Sequence, residues 1–350
     1  NHQSLIATKA NRIKRAADGR SVMEFGSRRA QGFDAAIYGA RAAYIGGVVG
    51  TATVLAGELF HIPISGTMAH SWVMFCESEF DAFKKYAVTY PDSTVLLVDT
   101  YDVLKSGIPN AIRVAKEVLE PMGKRLKGVR IDSGDLAYLS KEARKMLDEA
   151  GLEDCVIVAS NGLDEYTIRS LIHQGAKIDS FGVGERLITS ASNPVFGAVY
   201  KLAAIKKDGK FIPKIKVSET AEKITDPGLK KIYRVYNEEG KAVADYLARA
   251  EEKIDASKPV RYIDPQKYWK ERSFENCTFK DLQIKVIEDG KQIYSCPPVE
   301  EIRQYVRDQL NNEIWEEEQR FENPHGHYYD MSPAMYELKM NLLYTLGKAK

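Results

Sequence analysis

Five short apolar runs in the first 200 residues are separated by amphipathic helical patterns, and each run ends in a polar or glycine-rich cluster. The runs cover residues 62–65, 95–98, 128–131, 155–159 and 178–183, and the helical patterns cover residues 77–90, 108–119, 140–150 and 164–174. Continuously apolar strands that alternate with helices indicate a parallel sheet covered on both faces. The alternation fits either a barrel or an open doubly wound sheet.

The composition changes near residue 200. Residues 1–200 hold 19 of the 25 glycines, whereas residues 201–350 hold 53 of the 99 charged residues. Turns join the later strand patterns, which predicts an antiparallel meander. These strands are expected at residues 196–205, 211–217, 232–237 and 242–247, with helices at 298–309 and 333–346 and a loop at 323–333. We therefore divide the chain into residues 1–195 and 196–350.

Net charge and hydropathy exclude several classes of protein. The 50 Lys and Arg residues balance 49 Asp and Glu residues, which argues against a nucleic-acid partner or a polybasic membrane surface. No apolar run approaches the roughly 18 residues that a membrane span needs. The four cysteines are far apart and form no CxxC pair, which indicates a reduced, cytoplasmic protein without a zinc site or disulfide framework.

The clusters that follow the five apolar runs are the candidate functional residues. They occupy residues 66–70, 99–102, 132–135, 160–162 and 182–184. The carboxyl ends of successive parallel strands meet at one rim, which is where barrel active sites lie. Asp, Ser and Asn also favour turns and helix N-caps, so each cluster taken alone has a structural interpretation. The five together favour a site.

Two of these clusters suggest particular chemistry. Gly182 and Gly184, with Thr189 nearby, suit a phosphate cradle of backbone N–H groups, although GxG is common in turns. Asp132 and Asp135 could hold Mg²⁺ directly or through water, or hydrogen-bond a ribose diol. The alternative is that Arg130 and an aspartate of this cluster form an ion pair that only closes the loop.

His70 and Phe25 add a nucleophile and an aromatic face. His70 could act as an acid or base, or accept a phosphoryl group, and a neighbouring carboxylate could orient it; the alternative is a core histidine packed on Trp72. Phe25 with Arg28 would suit a flat, anionic ring. The histidines at positions 61, 173, 325 and 327 have no acidic or cysteine partners at metal spacing and receive no role.

Five ordered motifs resemble the bacterial type of the nicotinate phosphoribosyltransferase family. They are MEFGSRRAQG (23–32), GTMAHSW (66–72), LLVDTYD (96–102), VRIDSGDL (129–136) and FGVGERLIT (181–189). The resemblance implies synthesis of nicotinate mononucleotide and pyrophosphate from nicotinate and 5-phosphoribosyl-1-pyrophosphate, coupled to ATP hydrolysis and dependent on Mg²⁺. This is ligase and glycosyltransferase chemistry in NAD salvage from nicotinate.

The resemblance also implies an architecture. It is an irregular α/β barrel of type II phosphoribosyltransferases beside a smaller α+β domain built from the chain ends, in a cytoplasmic homodimer that shares its active sites. Residues 1–195 would form the barrel with the phosphoribosyl and nicotinate sites, and residues 196–350 the strands and helices of the smaller domain.

The family's functional residues correspond to positions of this chain motif by motif. His70 matches the histidine that ATP phosphorylates, Thr67 and Arg130 match nicotinate-site positions, and Phe25 matches the aromatic that stacks on the pyridine ring. The phosphoribosyl substrate would be bound by Arg28, Asp99, Asp132, Ser133, Gly134, Asp135, Asn161, Gly162, Gly182, Gly184 and Thr189. Asp99 and Asp132 would stabilise the oxocarbenium-like charge, and Asp132 with Asp135 would hold Mg²⁺.

Related activities are separated by single positions. The nicotinamide enzyme carries an aspartate where this chain has Ala52, and an acid there would repel the nicotinate carboxylate. The quinolinate enzyme lacks the phosphorylated histidine, and no Thr-Gly-Gly loop of type I enzymes is present. Glu185 departs from the family, because many members have threonine there.

Two further hypotheses remain at this stage. A sugar-phosphate lyase or isomerase could use a similar barrel, but a Schiff-base enzyme should place lysine at a strand end, where this chain has aspartate. The resemblance further implies that the sequence as given lacks the family's N-terminal segment, and with it an aromatic that the neighbouring subunit would contribute to the pyridine site. A silent fragment that assembles with other subunits is therefore the third hypothesis.

Overall fold

The computed structural model describes residues 1–220 and 223–347. Its backbone contacts divide the chain into two units. The first consists of Asn1–Gly197 and Pro298–Val306, and the second of Ala198–Pro297 and Arg307–Lys350. The sequence-based domain boundary between residues 195 and 196 stays a prediction.

The first unit is built on a sheet of six parallel strands. These are β1 (Ser21–Glu24), β2 (Gly50–Thr51), β3 (Val95–Leu97), β4 (Gly128–Ile131), β5 (Val156–Ser160) and β6 (Ser180–Val183). Their order is β2-β1-β6-β5-β4-β3, so the last strand pairs with the first. That order is that of a barrel opened between β2 and β3, in agreement with the predicted irregular α/β barrel.

Helices cover the strands of this sheet. They are α1 (His2–Ala16), α2 (Phe33–Gly46), α3 (Val54–Phe60), α4 (His70–Phe75), α5 (Glu79–Thr89), α6 (Ile108–Val114), α7 (Leu136–Glu149), α8 (Glu165–His173), α9 (Glu185–Ile188) and α10 (Val299–Asp308). Short π-helical turns flank α6 at Val103–Gly107 and Ala115–Leu119. Fully buried side chains such as Phe83, Leu96 and Ile131 form the core.

Four of the five predicted strands of the first part are confirmed within two residues, as β3 to β6. The run at residues 62–65 is wrong as a strand, because it contributes a single parallel bridge between Ile64 and Thr51. The two strands β1 and β2 are absent from the predictions. They span four and two residues, too few for a hydrophobic period to show.

The second unit is built on a mostly antiparallel sheet of six strands. These are β9 (Lys230–Tyr236), β10 (Ala242–Arg249), β11 (Val260–Ile263), β12 (Glu271–Phe274), β13 (Thr278–Asp281) and β16 (Tyr329–Met331), in the order β12-β11-β16-β10-β9-β13. Along β10, Tyr246 packs with Phe274 on one face, and Leu247 packs with Met335 of α11 (Pro333–Gly347) on the other. Two hairpins stand apart from this sheet, β7 (Ala204–Lys207) with β8 (Lys210–Pro213), and β14 (Ile287–Glu288) with β15 (Lys291–Gln292).

Sequence-based predictions for this part were less accurate. The strands at 232–237 and 242–247 are confirmed as β9 and β10, and the helices at 298–309 and 333–346 as α10 and α11. The strand predicted at 196–205 is wrong over most of its length, because residues 193–203 are irregular and side chains such as Val195 and Tyr200 are exposed. The predicted loop at 323–333 contains β16, which pairs in parallel with β10.

Among the described residues, no helix combines the length and the apolar composition needed to cross a membrane.

Candidate active site

The predicted polar residues of the first unit do gather at the carboxyl ends of the parallel strands. A predicted residue ends or follows five of the strands. Phe25 follows β1, Asp99 follows β3 by two residues, Asp132 follows β4, Ser160 ends β5, and Gly184 follows β6. Thr51, which ends β2, was not among the predicted residues. This rim is the expected position for the site of a barrel enzyme.

His70 lies between two carboxylates at this rim. Its Nε2 atom is 3.8 Å from Asp99 Oδ1 and 3.7 Å from Asp132 Oδ2. Its Nδ1 atom is 3.1 Å from the hydroxyl of Thr100. The imidazole side chain is 40% exposed, so a ligand can reach it. The predicted alternative, a core histidine packed on Trp72, therefore does not describe this residue.

Asp99 is the most deeply buried acid of the cluster, with a side chain 1% exposed. Its Oδ2 atom accepts hydrogen bonds from the backbone N–H of Asp132 at 3.0 Å and from the hydroxyl of Ser133 at 2.5 Å. Its Oδ1 atom is buried and accepts no hydrogen bond from any residue that the structure describes, and this is the atom that faces His70. A buried polar atom without a partner is costly, which indicates a place for a proton, a cation or a substrate group.

Arg130 connects the acids to the residues beside them. Its Nε atom donates to the Ser160 hydroxyl at 2.8 Å, and its Nη1 atom donates to Thr67 Oγ1 at 2.7 Å. Its Nη2 atom donates to Asp132 Oδ1 at 3.1 Å. A guanidinium has five N–H donors, so these three bonds fix its plane and leave donor capacity for an anionic ligand.

Asp132 is held in its charged form. Burial alone would raise its pKa, but a hydrogen bond from Ser160 and the positive charge of Arg130 outweigh burial, and the pKa is lowered below its usual range. The Ser160 hydroxyl donates to Asp132 Oδ1, the same atom that Arg130 contacts. Asp132 Oδ2 is therefore directed toward His70 as a carboxylate oxygen.

The Phe25 ring lies beside this cluster because the neighbouring strand has no side chain at the contact point. A Cβ atom at Gly182 would lie 2.5 Å from two carbons of the Phe25 ring, so only glycine fits there. The Arg130 guanidinium carbon is 5.5 Å from the ring centroid. An aromatic face and a guanidinium thus lie together, as expected for a flat, anionic ring.

Several predicted site residues have other contacts. Asp135 is the N-cap of α7, where its Oδ1 atom accepts from the backbone N–H of Tyr138 at 3.0 Å. The hydroxyl of Thr189 donates to the carbonyl of Glu185 at 2.8 Å. The Glu185 carboxylate lies 3.6 Å from Arg29, and both side chains are exposed, so the acid at this position is paired with a cation.

The remaining predicted residues line turns at the same rim. Asn161 and Gly162 both have positive φ angles, +101° and +57°, in the turn after β5, and Gly134 has +78° in the turn after β4. Arg28 lies in the exposed 3₁₀ turn Ser27–Arg29, and Gly184 precedes α9.

Asp132 and Asp135 are the predicted ligands of a metal ion. Among the residues that the structure describes, no cluster of three His, Cys, Asp or Glu side chains could hold a metal ion. Asp99 Oδ1 and Asp132 Oδ2 nevertheless both face His70, and the first is buried without a hydrogen-bond partner. Hard oxygen donors of this kind fit Mg²⁺ with water completing its shell.

Two residues of the rim received no role of their own from the sequence. Thr100 lies in the predicted cluster 99–102, and the structure places its hydroxyl against His70 Nδ1. Glu24 lies in the motif at residues 23–32 and is a completely buried acid at the end of β1. Its place could not be recognised, because β1 itself was not predicted.

Comparisons with known proteins agree with this geometry. The model of the "Nicotinate phosphoribosyltransferase (NAPRTase) family" matches residues 20–243, and that of the "Nicotinate phosphoribosyltransferase C-terminal domain" matches residues 229–339. A nicotinate phosphoribosyltransferase of Bacillus subtilis is 48% identical over 99% of this chain and 70% of its own length. One from Dictyostelium discoideum is 36% identical over 98% of this chain and 66% of its own length.

A solved structure is similar over the same range. The crystal structure of human nicotinic acid phosphoribosyltransferase superimposes with a TM-score of 0.82 at 27% sequence identity. The match covers 97% of this chain and 74% of the human chain.

Proposed function

The chain belongs to the nicotinate phosphoribosyltransferase family, and from this premise we propose that the rim around His70, Asp99 and Asp132 is its active site. The chain is an enzyme of NAD biosynthesis from nicotinate. It joins nicotinate to 5-phosphoribosyl-1-pyrophosphate and releases nicotinate mononucleotide and pyrophosphate. The observation that supports this site best is the exposed His70 imidazole between two carboxylates.

Phosphoribosyl transfer needs a stabilised cationic sugar. As the bond between C1 of the ribose and pyrophosphate breaks, positive charge develops on the ring, and the nicotinate nitrogen then forms the new bond to C1. Asp132, charged because its pKa is lowered, would stabilise that charge together with Asp99. Backbone N–H groups near Gly182 and Gly184, with Thr189, Asn161 and Gly162, would bind the phosphates and ribose.

Nicotinate is a flat ring with a carboxylate, and the site offers a partner for each part. The Phe25 ring would stack on the pyridine, and the unused donor capacity of Arg130 would pair with the carboxylate. Thr67, already bonded to Arg130, would complete this end of the pocket. Ala52 places no acid at the position where nicotinamide enzymes have one, which favours a carboxylate ligand.

His70 would accept the γ-phosphoryl group of ATP. Asp99 and Asp132 on the Nε2 side favour a proton on that nitrogen, which leaves the Nδ1 lone pair as the nucleophile beside Thr100. The P–N bond forms as ADP leaves, and water later cleaves it to release phosphate. Mg²⁺, which Asp99, Asp132 and Asp135 would hold directly or through water, would neutralise phosphate charge.

The assembly and location are proposed on the resemblance alone. We expect a homodimer with shared active sites in the cytoplasm, with no nucleic-acid partner. The lyase alternative is less well supported, because aspartates follow the strands where a Schiff-base enzyme would have lysine, and because the relatives are phosphoribosyltransferases.

The first experiment tests whether this chain binds its phosphoribosyl substrate. The melting temperature is measured with and without 5-phosphoribosyl-1-pyrophosphate and Mg²⁺. A ligand at a hundred times its Kd adds about 2.7 kcal/mol of stability, which is easily detected. A shift supports the site, and a folded protein that shows no shift contradicts it.

The second experiment tests His70 in the complete reaction. Nicotinate mononucleotide formation is measured with and without ATP for the wild type, His70→Ala and His173→Ala. His173 is an exposed histidine at the end of α8 and serves as the control. We expect His70→Ala to lose acceleration by ATP and keep a slower, ATP-independent synthesis. Normal acceleration in that variant would show that the role given to His70 is wrong.

A further inference from the structure

Glu24 is a carboxylic acid with no solvent exposure at the rim of the sheet. It ends β1, and its side chain turns toward β2 rather than toward the reacting groups. Its Oε2 atom accepts from the hydroxyl of Thr51 at 2.5 Å and from the hydroxyl of Thr53 at 3.4 Å. Its Oε1 atom accepts from the backbone N–H of Gly26. These three partners therefore belong to two rim segments, the turn after β2 and the turn after β1.

The first segment is the turn after β2. The Ala52 backbone N–H donates to the Glu24 carbonyl at 3.0 Å, and the Thr53 N–H donates to Thr51 Oγ1 at 2.9 Å. Glu24 therefore contacts this turn through its backbone and its side chain, on both sides of Ala52. The Ala52 side chain itself is exposed. The position of this methyl group at the rim depends on what holds its two neighbours.

The second segment carries the aromatic ring. Phe25 lies between Glu24 and Gly26, and its own N–H donates to the carbonyl of Val183 at 2.8 Å. The bond from Gly26 back to the Glu24 side chain closes the backbone around Phe25. Because the backbone is held on both sides of Phe25, the direction in which its Cα–Cβ bond leaves the chain is fixed as well.

We propose that Glu24 is a positioning residue that ties the Phe25 ring to the Ala52 turn and thereby sets the shape of the aromatic-acid subsite. The inference rests on the proposed function, since it names the part of that site that discriminates between pyridine substrates. Glu24 itself touches neither substrate nor reacting atoms. Its effect passes through Phe25 on one side and Thr51 and Thr53 on the other.

Burying this acid costs free energy that an apolar side chain at the same position would not cost. Burial raises the pKa of Glu24, while the bonds from Thr51, Gly26 and Thr53 oppose that rise. An apolar side chain of similar size would avoid the cost but could not accept from three donors. A carboxylate is the side chain that can bridge two segments whose facing groups are all donors.

The test separates the pyridine subsite from the phosphoribosyl subsite. The variants are Glu24→Gln, which keeps the shape and one acceptor, and Thr51→Val, which removes the hydroxyl from a fully buried position. The matched control is Glu79→Gln. Glu79 is also a buried acid that accepts from two side chains, Ser106 and Asn110, but it lies in α5 outside the rim.

We expect each of the two test variants to raise KM for nicotinate about tenfold, the usual effect of losing a hydrogen bond to a charged group. KM for 5-phosphoribosyl-1-pyrophosphate should change by less than about twofold. A general loss of structure would instead change both KM values. Preference for nicotinate over nicotinamide should fall in the same variants. Glu79→Gln should alter neither constant.

Two outcomes would overturn the inference. One is an unchanged KM for nicotinate in both test variants. The other is a parallel rise of both KM values with a drop in melting temperature, which would make Glu24 a general structural residue. A wild-type chain that forms no nicotinate mononucleotide would instead contradict the proposed function, so the two failures are distinguishable.

Discussion

Each unit of the molecule contains a histidine between two acids. The two clusters differ in which of their polar groups remain available to a ligand. In the first unit, His70 Nε2 is 3.7–3.8 Å from Asp99 and Asp132, and Asp99 Oδ1 has no hydrogen-bond partner. In the second, His327 Nδ1 is 3.0 Å from Glu318, and its Nε2 is 3.4 Å from Asp245.

The second cluster is closed by an arginine. Arg234 donates to both oxygens of Asp245, at 2.9 and 3.1 Å, and the His327 side chain is 26% exposed against 40% for His70. Burial alone would raise the pKa of Asp245, but His327 and Arg234 bring it to about 2. Both oxygens of Asp245 are thus engaged by Arg234, although His327 Nε2 is buried without a hydrogen-bond partner among the described residues. In the first unit, Asp99 Oδ1 and Asp132 Oδ2 face an exposed imidazole and remain available for a ligand.

The largest expected effect comes from replacing one aspartate in each cluster, Asp132 in the first unit and Asp245 in the second. Asp132→Asn should lower kcat/KM for 5-phosphoribosyl-1-pyrophosphate by about 10²-fold or more, because it removes a charge that stabilises the transition state. Asp245→Asn should lower the melting temperature and leave kcat/KM unchanged. Steady-state kinetics and thermal unfolding of both variants provide the measurement.

The opposite pattern would break the comparison. If Asp132→Asn kept wild-type kcat/KM, Asp132 would not belong to the site. If Asp245→Asn lost activity without losing stability, the second cluster would have a function that its closed geometry does not indicate.

A second prediction concerns Asp330, an acid of the second unit whose cost of burial is only partly offset by a nearby positive charge. Burial and the nearby charge of Asp264, only partly offset by Arg272, raise the pKa of Asp330 to about 6. A raised carboxyl pKa means that the stability contribution is complete below the unfolded pKa and is lost as pH rises through about 6. Asp330→Asn should therefore stabilise the protein at pH 7 by on the order of 1–3 kcal/mol, and have no effect near pH 3.5.

Urea unfolding at the two pH values measures this effect. Asp264→Asn is the matched control, since it removes the neighbouring charge and leaves Asp330 in place. Equal stability of wild type and Asp330→Asn at pH 7 would show that Asp330 carries no burial cost.

The sequence predicted the rim well because local chemistry and parallel topology act together there. An apolar run followed by Asp99 or Asp132 needs no knowledge of distant residues, and parallel strands bring those ends together. The motif resemblance then predicted the family, the barrel and the reaction. Sequence reasoning also placed Asp135 at the rim, but its role as the N-cap of α7 required the backbone geometry.

What the sequence did not reveal depends on partners far apart along the chain. Glu318 and Asp245 lie 9 and 82 residues from His327, so no spacing rule would pair them. Glu24 bonds to Thr51 across 27 residues and two strands too short to show a period. The apolar residues around Val195 and Tyr200 have strand-like composition but are exposed and irregular, and hydropathy cannot reveal whether a neighbouring strand exists.

A third prediction uses the close approach of Gly182 to the Phe25 ring. Gly182→Ala would place a methyl group 2.5 Å from the ring, so the ring must move. We expect KM for nicotinate to rise by up to about tenfold, because a stacked aromatic pair contributes about 0.5–1.5 kcal/mol. Gly197→Ala is the control, because a Cβ atom there meets no atom within 4 Å. Equal KM values in the two variants would remove Phe25 from the subsite.

The smallest expected effect returns to the closed cluster of the second unit. Hydrogen bonding to Asp245 raises the pKa of His327, burial opposes that rise, and the hydrogen bond and charge of Glu318 add to it. The stability that His327 contributes is complete below the unfolded pKa of about 6.5 and is lost as pH rises through the folded pKa. The wild type should therefore be locally less stable at pH 9 than at pH 6.

His327→Gln should lack this pH dependence, and His325→Gln, two residues away, should keep it. Hydrogen exchange of the β16 amides at both pH values measures the local opening free energy directly. A pH dependence that persists in His327→Gln would mean that His327 does not close the cluster. In that case the contrast with His70 would rest on Arg234 alone, because the arginine fork on Asp245 does not titrate in this range.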